Sequence, residues 1–139
     1  MTKGLKSLSV FGLFLFATAV ASAQPEAISV DTRDSLSANN TAVSVTGAVL
    51  CPAGQTFSVT AIIQQAHASV STVGQNFSAP NIDCTGVPQP FSALVQVIIP
   101  PGGQFKKGPA SLILSVSTED STPSFTGSQL VTASINLVN

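Results

Sequence analysis

Apolar residues alternate with Ser, Thr and Gln through much of this chain, which is the pattern of β-strands that bury one face. Five segments carry the alternation most clearly: 42–51, 57–63, 91–99, 110–118 and 131–137. Ile28 and Val30 indicate a shorter first strand, and a weaker pattern over 68–73 predicts an edge strand. No long stretch outside the N-terminal segment has the period of a helix, so the pattern predicts an all-β protein.

Clusters of Gly and Pro separate these segments, at 52–54, 86–90 and 100–103, and Pro123 precedes the last one. Pro fixes φ and lacks a hydrogen-bond donor, and Gly permits positive φ, so such clusters end strands and turn the chain. About seven strands joined by short turns predict an immunoglobulin-like antiparallel β-sandwich. A small barrel is the second choice.

The first 23 residues have the three parts of a secretory signal peptide. Lys3 and Lys6 precede an apolar stretch over 8–20, and Ala21-Ser22-Ala23 fits the small-x-small cleavage rule. The apolar stretch is short for a membrane span of about 20 residues. We therefore expect cleavage before Gln24, a single domain over 24–139, secretion to the extracellular space, and no stable membrane insertion after cleavage.

The expected mature chain has few charges. It carries three basic side chains, Arg33, Lys106 and Lys107, against six carboxylates, which gives a net charge of −3. Three cations cannot neutralise many phosphates, so nucleic-acid binding is not expected. Binding to an anionic membrane surface is not expected for the same reason.

Cys51 and Cys84 both lie in the exported part of the chain, where an oxidising compartment favours a disulfide between them. The loop that this bond closes is long, so the entropic model gives a stabilisation of about 3–4 kcal/mol. Two cysteines and the single His67 cannot form a four-ligand zinc site without carboxylates. We expect no cofactor and no metal.

Three runs resemble known proteins: "VSVTGAVLCPAGQTFSVTAIIQQ" (43–65), "NIDCTG" (81–86) and "FKKGPASLILSVST" (105–118). Together they resemble the small secreted bacterial immunoglobulin-like domains that have one disulfide and an uncharacterised function. This resemblance implies the fold and export but no activity.

A second resemblance is carried by "SVTGAVLCPAGQTFSV" (44–59). It is similar to the early hairpin of the apoproteins of the enediyne antitumour chromoproteins, which are immunoglobulin-like sandwiches with an apolar chromophore in a cleft. This chain has two cysteines where those proteins have four, so the disulfides that brace their cleft are not both represented.

Catalysis by a serine nucleophile would use His67 as the base, together with Asp31 or Asp83. The chain has no Gly-x-Ser-x-Gly motif around a nucleophile. His67 stands between two alanines after a strand, which is typical of a surface or turn residue. We therefore expect no enzyme.

The carboxylates occur as Asp31 with Asp34, Asp83 alone, and Glu119 with Asp120. Paired carboxylates can bind calcium or hydrolyse glycosides. Their spacing matches no EF-hand, and a chain without Trp or Tyr lacks the usual aromatic platforms for sugars. We interpret these carboxylates as solvated charges on loops.

Several polar residues have both a functional and a structural interpretation. Lys106-Lys107 could meet an acidic partner or lie in a solvated turn, and Gln64-Gln65 could line a groove or end a strand. Asn39-Asn40-Thr41 and Asn76-Phe77-Ser78 match the glycosylation sequon, which matters in a host that glycosylates.

The sequence as a whole predicts a secreted, non-enzymatic binding or structural module for an unknown protein or glycan partner, acting through loops or a strand edge. The alternative is a carrier that sequesters a small apolar ligand, which requires an apolar pocket of about 300 Å3 or more. An enzyme inhibitor would present a rigid protruding loop, for which 100–107 is the best candidate.

Overall fold

The computed structural model describes residues 27–120 and 126–139, so the predicted signal peptide over 1–23 lies outside the described residues. The described chain contains nine strands: β1 (Ala27–Val30), β2 (Arg33–Leu36), β3 (Ala42–Leu50), β4 (Gln55–His67), β5 (Val70–Asn76), β6 (Ile82–Asp83), β7 (Gln89–Ile99), β8 (Gly108–Asp120) and β9 (Thr126–Val138). None of the described residues forms a helix, so no helix that could cross a membrane lies among them.

Seven of these strands form a closed ring of hydrogen-bonded neighbours in the order β3-β2-β9-β8-β4-β5-β7 and back to β3. Six of the neighbouring pairs are antiparallel, and β2 with β9 is parallel. β1 adds to β3, and the short β6 adds to β4. The prediction of an all-β fold is confirmed, but the seven strands close as a barrel, the second choice predicted from the sequence, and not as the antiparallel sandwich that was the first.

Two strands account for the closure. The segment 68–73, predicted as an edge, overlaps β5, which begins at Val70 and pairs with β4 on one side and with β7 on the other. On the opposite side of the ring β2 bridges β3 and β9. The sequence pattern does not reveal β2, because "RDSL" has three polar residues among its four.

The inward-facing residues of the long strands form one core, as their alternation predicts. Val43, Val45 and Val49 of β3 are buried, as are the alternating apolar residues of β4 and β8. The pattern fails at the end of β7, where Ile99 is exposed. Phe105 is fully buried although it lies outside the strands, whereas Phe77 is 70% exposed.

The disulfide between Cys51 and Cys84 forms as predicted, and both cysteines are buried. It joins the end of β3 to the segment after β6, and two main-chain hydrogen bonds flank it. Cys84 N–H donates to the carbonyl of Gln55 at 2.8 Å, and Gly86 N–H donates to the carbonyl of Cys51 at 3.1 Å. This end of the fold is therefore fastened covalently and by the main chain.

Candidate functional site

One edge of the long strand β9 has no partner among the described residues along most of its length. β9 pairs with β8 along nearly its whole length, from Thr126 to Leu137. Its other edge pairs with β2 through 136–138 alone. We call the remainder, 127–134, the open edge of β9. It exists because β2 is four residues long and β9 is thirteen.

The direction of the main-chain groups on this edge follows from one hydrogen bond. Asn136 N–H donates to the carbonyl of Thr32, on the β2 side, at 2.7 Å. Main-chain groups of successive residues point to alternate sides of a strand. The N–H and C=O groups of Ser128, Leu130, Thr132 and Ser134 therefore point outward from the open edge.

The side chains of these same four residues lie on the outer face and are exposed. Leu130 is 69% exposed, and it is a large apolar residue in the middle of a polar face. Val131 and Ala133 point toward the core but are only partly buried. The interior is therefore incompletely covered along this edge.

Proteins usually protect such an edge with charged side chains, Pro or a bulge. β9 has the sequence "TGSQLVTASINLV", which contains no charged residue and no Pro. Its register with β8 runs without a shift from one end to the other. The open edge of β9 is thus a regular strand edge on which none of these protective features is present.

A crevice of about 320 Å3 lies at the opposite end of the molecule from the disulfide, between the β4–β5 hairpin and the loop 100–107. His67 and Val70 form one wall, and Pro100, Gln104 and Lys106 form another. Its volume reaches the lower limit for a small-molecule site. His67 and Lys106 are both exposed at its rim.

The loop 100–107 is anchored to the core by buried side chains and does not protrude as an inhibitor's loop would. The side chain of Phe105 is buried in the core, and its N–H donates to the carbonyl of Asn40 at 2.8 Å. The buried Gln65 amide accepts from Lys106 N–H at 2.8 Å and donates to the Lys106 carbonyl at 2.7 Å. Of the pair Gln64-Gln65, Gln65 thus fixes a loop, and Gln64 is exposed.

The structure does not bring His67 together with the carboxylates that a catalytic triad would need. His67 ends β4, whereas Asp83 pairs with Thr56 near the start of the same strand. Eleven residues of strand separate these positions, which is roughly 35 Å. Asp31 lies between β1 and β2, where it accepts a hydrogen bond from the Thr46 hydroxyl.

Asp34 corrects one expectation, because its carboxyl group is not solvated. It is 1% exposed and points inward from β2, on the same side as Leu36. Among the described residues, neither carboxylate oxygen has a hydrogen-bond partner of good geometry. Burial raises the pKa of the Asp34 carboxyl to about 6, the Thr46 main chain partly offsets this, and the charge of Asp31 adds to it.

Asp31 also lines a wide, open groove of about 560 Å3 on the outer face of β3 and β7. Thr46 and Ser92 lie beside it, and Phe91 forms part of its floor. Within residues 27–120 and 126–139, no three His, Cys, Asp or Glu side chains group as metal ligands would. The Asp31–Asp34 pair therefore combines one exposed carboxylate with one buried carboxyl group.

The two glycosylation sequons have different environments. Asn39 is exposed in the β2–β3 turn, and its side-chain oxygen accepts from the Thr41 hydroxyl at 2.8 Å. Asn76 is buried, and its amide nitrogen donates to the carbonyls of Val59 and Ser78. In the folded protein the Asn76 amide is therefore inaccessible, and it serves to bridge β5 to β4.

The remaining charged pairs of the sequence lie in the loop before β8, where Lys106 also lines the crevice, and at the end of β8. Lys106 and Lys107 are exposed in the loop before β8, as a solvated turn would be. Glu119 and Asp120 end β8, where Glu119 is exposed and Asp120 is half-buried. The structure thus offers two candidate binding regions, the open edge of β9 and the crevice beside His67.

No protein-family model matches the chain, and no curated protein is significantly similar to it. Among solved structures, it is similar to the crystal structure of AggA, the major subunit of aggregative adherence fimbriae type I from Escherichia coli. The two are 16% identical, the match covers 81% of this chain and 92% of that one, and the TM-score is 0.44. A similarity at this level carries no argument about function, and the comparisons assign the chain to neither of the groups that its sequence resembles.

Proposed function

We propose that this protein is a secreted, non-enzymatic binding module that recognises another protein by pairing with the open edge of β9. The observation that carries the proposal is the uncharged strand edge over 127–134, which pairs with no strand in the part of the chain that the structure describes. An extended segment of a partner can add to such an edge as a further strand.

The chemistry of the edge fits this mode of binding. Four residues present main-chain N–H and C=O groups outward, which would supply affinity without regard to the partner's side chains. Leu130 and the half-buried Val131 and Ala133 would supply apolar contact at the centre of the contact region. An added strand would cover these residues as well as pair the edge.

We also propose that the fold is immunoglobulin-like in its strand order. The neighbours β1-β3-β7-β5 correspond to strands A, B, E and D of a constant-type immunoglobulin domain, and β4-β8-β9 correspond to C, F and G. Secretion is part of the same proposal, and it is supported by the buried disulfide between Cys51 and Cys84, which an oxidising compartment favours.

The test compares the mature protein with two variants of the open edge. Thr132→Pro removes a main-chain donor that points outward, and Thr132→Lys adds a charge there. Ser117→Lys is the matched control, because Ser117 is exposed on β8, which is paired on both edges. Far-ultraviolet circular dichroism should show that all three variants fold.

Immobilised proteins would be exposed to culture medium and to the cell envelope fraction of the source organism. We expect a protein to be retained by the wild type and by Ser117→Lys but not by the Thr132 variants. That protein should also slow the hydrogen exchange of the amides of Leu130 and Thr132. Equal retention by all variants, with protection at another surface, would refute binding through β9.

The crevice beside His67 supports a second candidate function, the sequestering of a small apolar ligand. Its volume of about 320 Å3 suits a small molecule, and Val70 and Pro100 give it apolar walls. A native mass spectrum of the protein purified from its own medium tests this candidate. A mass above that of the mature chain, lost on denaturation and absent from a Val70→Lys variant, would support it.

A further inference from the structure

We propose that the occupant of the open edge of β9 is a second copy of this chain, paired antiparallel about a two-fold axis at Leu130. This inference rests on the proposed function, since it names the partner for the same edge. Two observations point to a second copy. The open edge over 127–134 is centred close to Leu130, and Leu130 is its most exposed apolar residue.

The register follows from the direction of the main-chain groups. Leu130 points its N–H and C=O outward, so Leu130 and Leu130 of the second copy would form a hydrogen-bonded pair. Ser128 would then lie opposite Thr132 of the second copy, and Thr132 opposite Ser128. These three pairs supply about six main-chain hydrogen bonds.

The side chains are self-complementary in this register. On the outer face the two Leu130 side chains would lie about 5.5 Å apart, measured between their Cα atoms, and form an apolar pair between two Ser–Thr pairs. In any other register Leu130 would face Ser or Thr. The symmetric register is therefore the one that removes both exposed Leu130 side chains from water.

Charge also favours a second copy at this edge. The expected mature chain carries a net charge of −3 and contains few charged residues, so two copies repel weakly. β9 itself has no charge, so no like charges would meet across the axis. The pairing uses the same edge on both copies, so it closes as a dimer and leaves no free edge of β9 for further growth.

The experiment tests the axis by placing a positive or a negative charge at its centre. Sedimentation velocity would be measured from micromolar to millimolar concentrations for the mature wild type, Leu130→Lys, Leu130→Glu and Ser117→Lys. The wild type and Ser117→Lys should dimerise. Each Leu130 variant alone should dimerise at least about tenfold more weakly, because like charges would lie directly opposite each other.

Mixing the two Leu130 variants in equal amounts provides the decisive result. A lysine opposite a glutamate attracts, so the mixture should recover the dimer at low salt and lose it again at high salt. Recovery is expected from a two-fold axis at this residue and from no other interface. An equally weak dimer in the mixture would overturn the proposed axis.

The outcomes separate this inference from the proposed function. A wild type that stays monomeric at every concentration overturns the second copy as the partner. If the amides of Leu130 and Thr132 are nevertheless protected by another protein, the proposed function holds. A dimer unaffected by any Leu130 variant, with no protection of β9, would overturn both.

Discussion

Replacing Asp34 by Asn should stabilise the protein at neutral pH and leave its stability nearly unchanged at pH 4. The Asp34 carboxyl is 1% exposed, and neither of its oxygens has a hydrogen-bond partner of good geometry within residues 27–120 and 126–139. Its pKa rises from 3.8 to about 6 on folding. The folded state therefore favours the protonated acid, and ionisation of that acid costs free energy of folding.

The direction and size of the effect follow from these two pKa values. Below pH 3.8 the acid is protonated in both states, so it adds no pH dependence. As the pH rises, the unfolded chain ionises first, and the free energy of unfolding falls until the folded acid ionises near pH 6. A shift of this size corresponds to a loss of up to about 3 kcal/mol above pH 7.

Urea denaturation would be followed by far-ultraviolet circular dichroism between pH 4 and pH 8, since the chain has no Trp or Tyr for fluorescence. Asp34→Asn should gain up to about 3 kcal/mol over the wild type at pH 7.5 and less than about 1 kcal/mol at pH 4. Asp83→Asn, at an exposed carboxylate, is the control. A difference between wild type and Asp34→Asn that does not change with pH would refute the reasoning.

Three other variants test how the fold is held together. Replacing Cys51 and Cys84 by Ala should lower the free energy of unfolding by about 3–4 kcal/mol, measured by urea denaturation, because the bond spans a sequence separation of 33; an unchanged midpoint would contradict this. Gly47→Ala should cost about 1–3 kcal/mol in the same assay and loosen β1, since the added Cβ would lie 2.8 Å from the Phe91 ring and would overlap the main chain of β1; equal hydrogen exchange of β1 in both proteins would contradict this. Gln65→Ala should cost about 1–3 kcal/mol and speed amide exchange in the loop 100–107, because three main-chain groups lose their hydrogen bond to the Gln65 amide; protection of that loop at wild-type level would rule this role out.

The sequence predicts the long strands well because each of them buries one face. From Phe57 to Ile63 in β4 and from Ala110 to Val116 in β8 every second residue is apolar and buried, and this alternation locates the strands and their inward faces. The disulfide is likewise predictable, because Cys51 and Cys84 are the two cysteines of the chain. These features depend on local pattern and on composition, which a single sequence records.

The closure of the ring depends on which strands pair with each other, and the local pattern of apolar and polar residues does not show that. β5 has exposed residues at its start, as an edge strand would, yet it is paired on both sides. β2 has three polar residues, and one of them, Asp34, points into the core. Asp34 and Leu36 share the inward face because residues two apart in a strand do, but a carboxyl at an inward position is the opposite of what the alternating pattern predicts.

The sequence allows the prediction that a strand edge binds a partner, but it does not show which strand has that edge. The sequence predicts that a strand edge could bind a partner, and the absence of charge and Pro from 126–138 is visible in it. Which part of the β9 edge stays open depends on where β2 begins, because β2 runs parallel to β9 and the open edge lies level with the residues before Arg33. The segment Asp31-Thr32 separates β1 from β2 and so sets that beginning.

One short strand therefore determines both the closure of the fold and its proposed function. β2 pairs with β3 and β9 at one end of the ring, so the two halves of the fold are joined there. Counting back from the pairing of Arg33 with Asn136 places β1 level with Leu130–Ala133 of β9, but β1 pairs with β3 and has no pairing with β9 among the described strands. A β2 that began earlier in the chain would have paired the rest of β9 and covered Val131 and Ala133. Because β2 begins at Arg33, β9 keeps a regular edge with outward main-chain groups, and that is the edge through which we propose that this chain binds a partner.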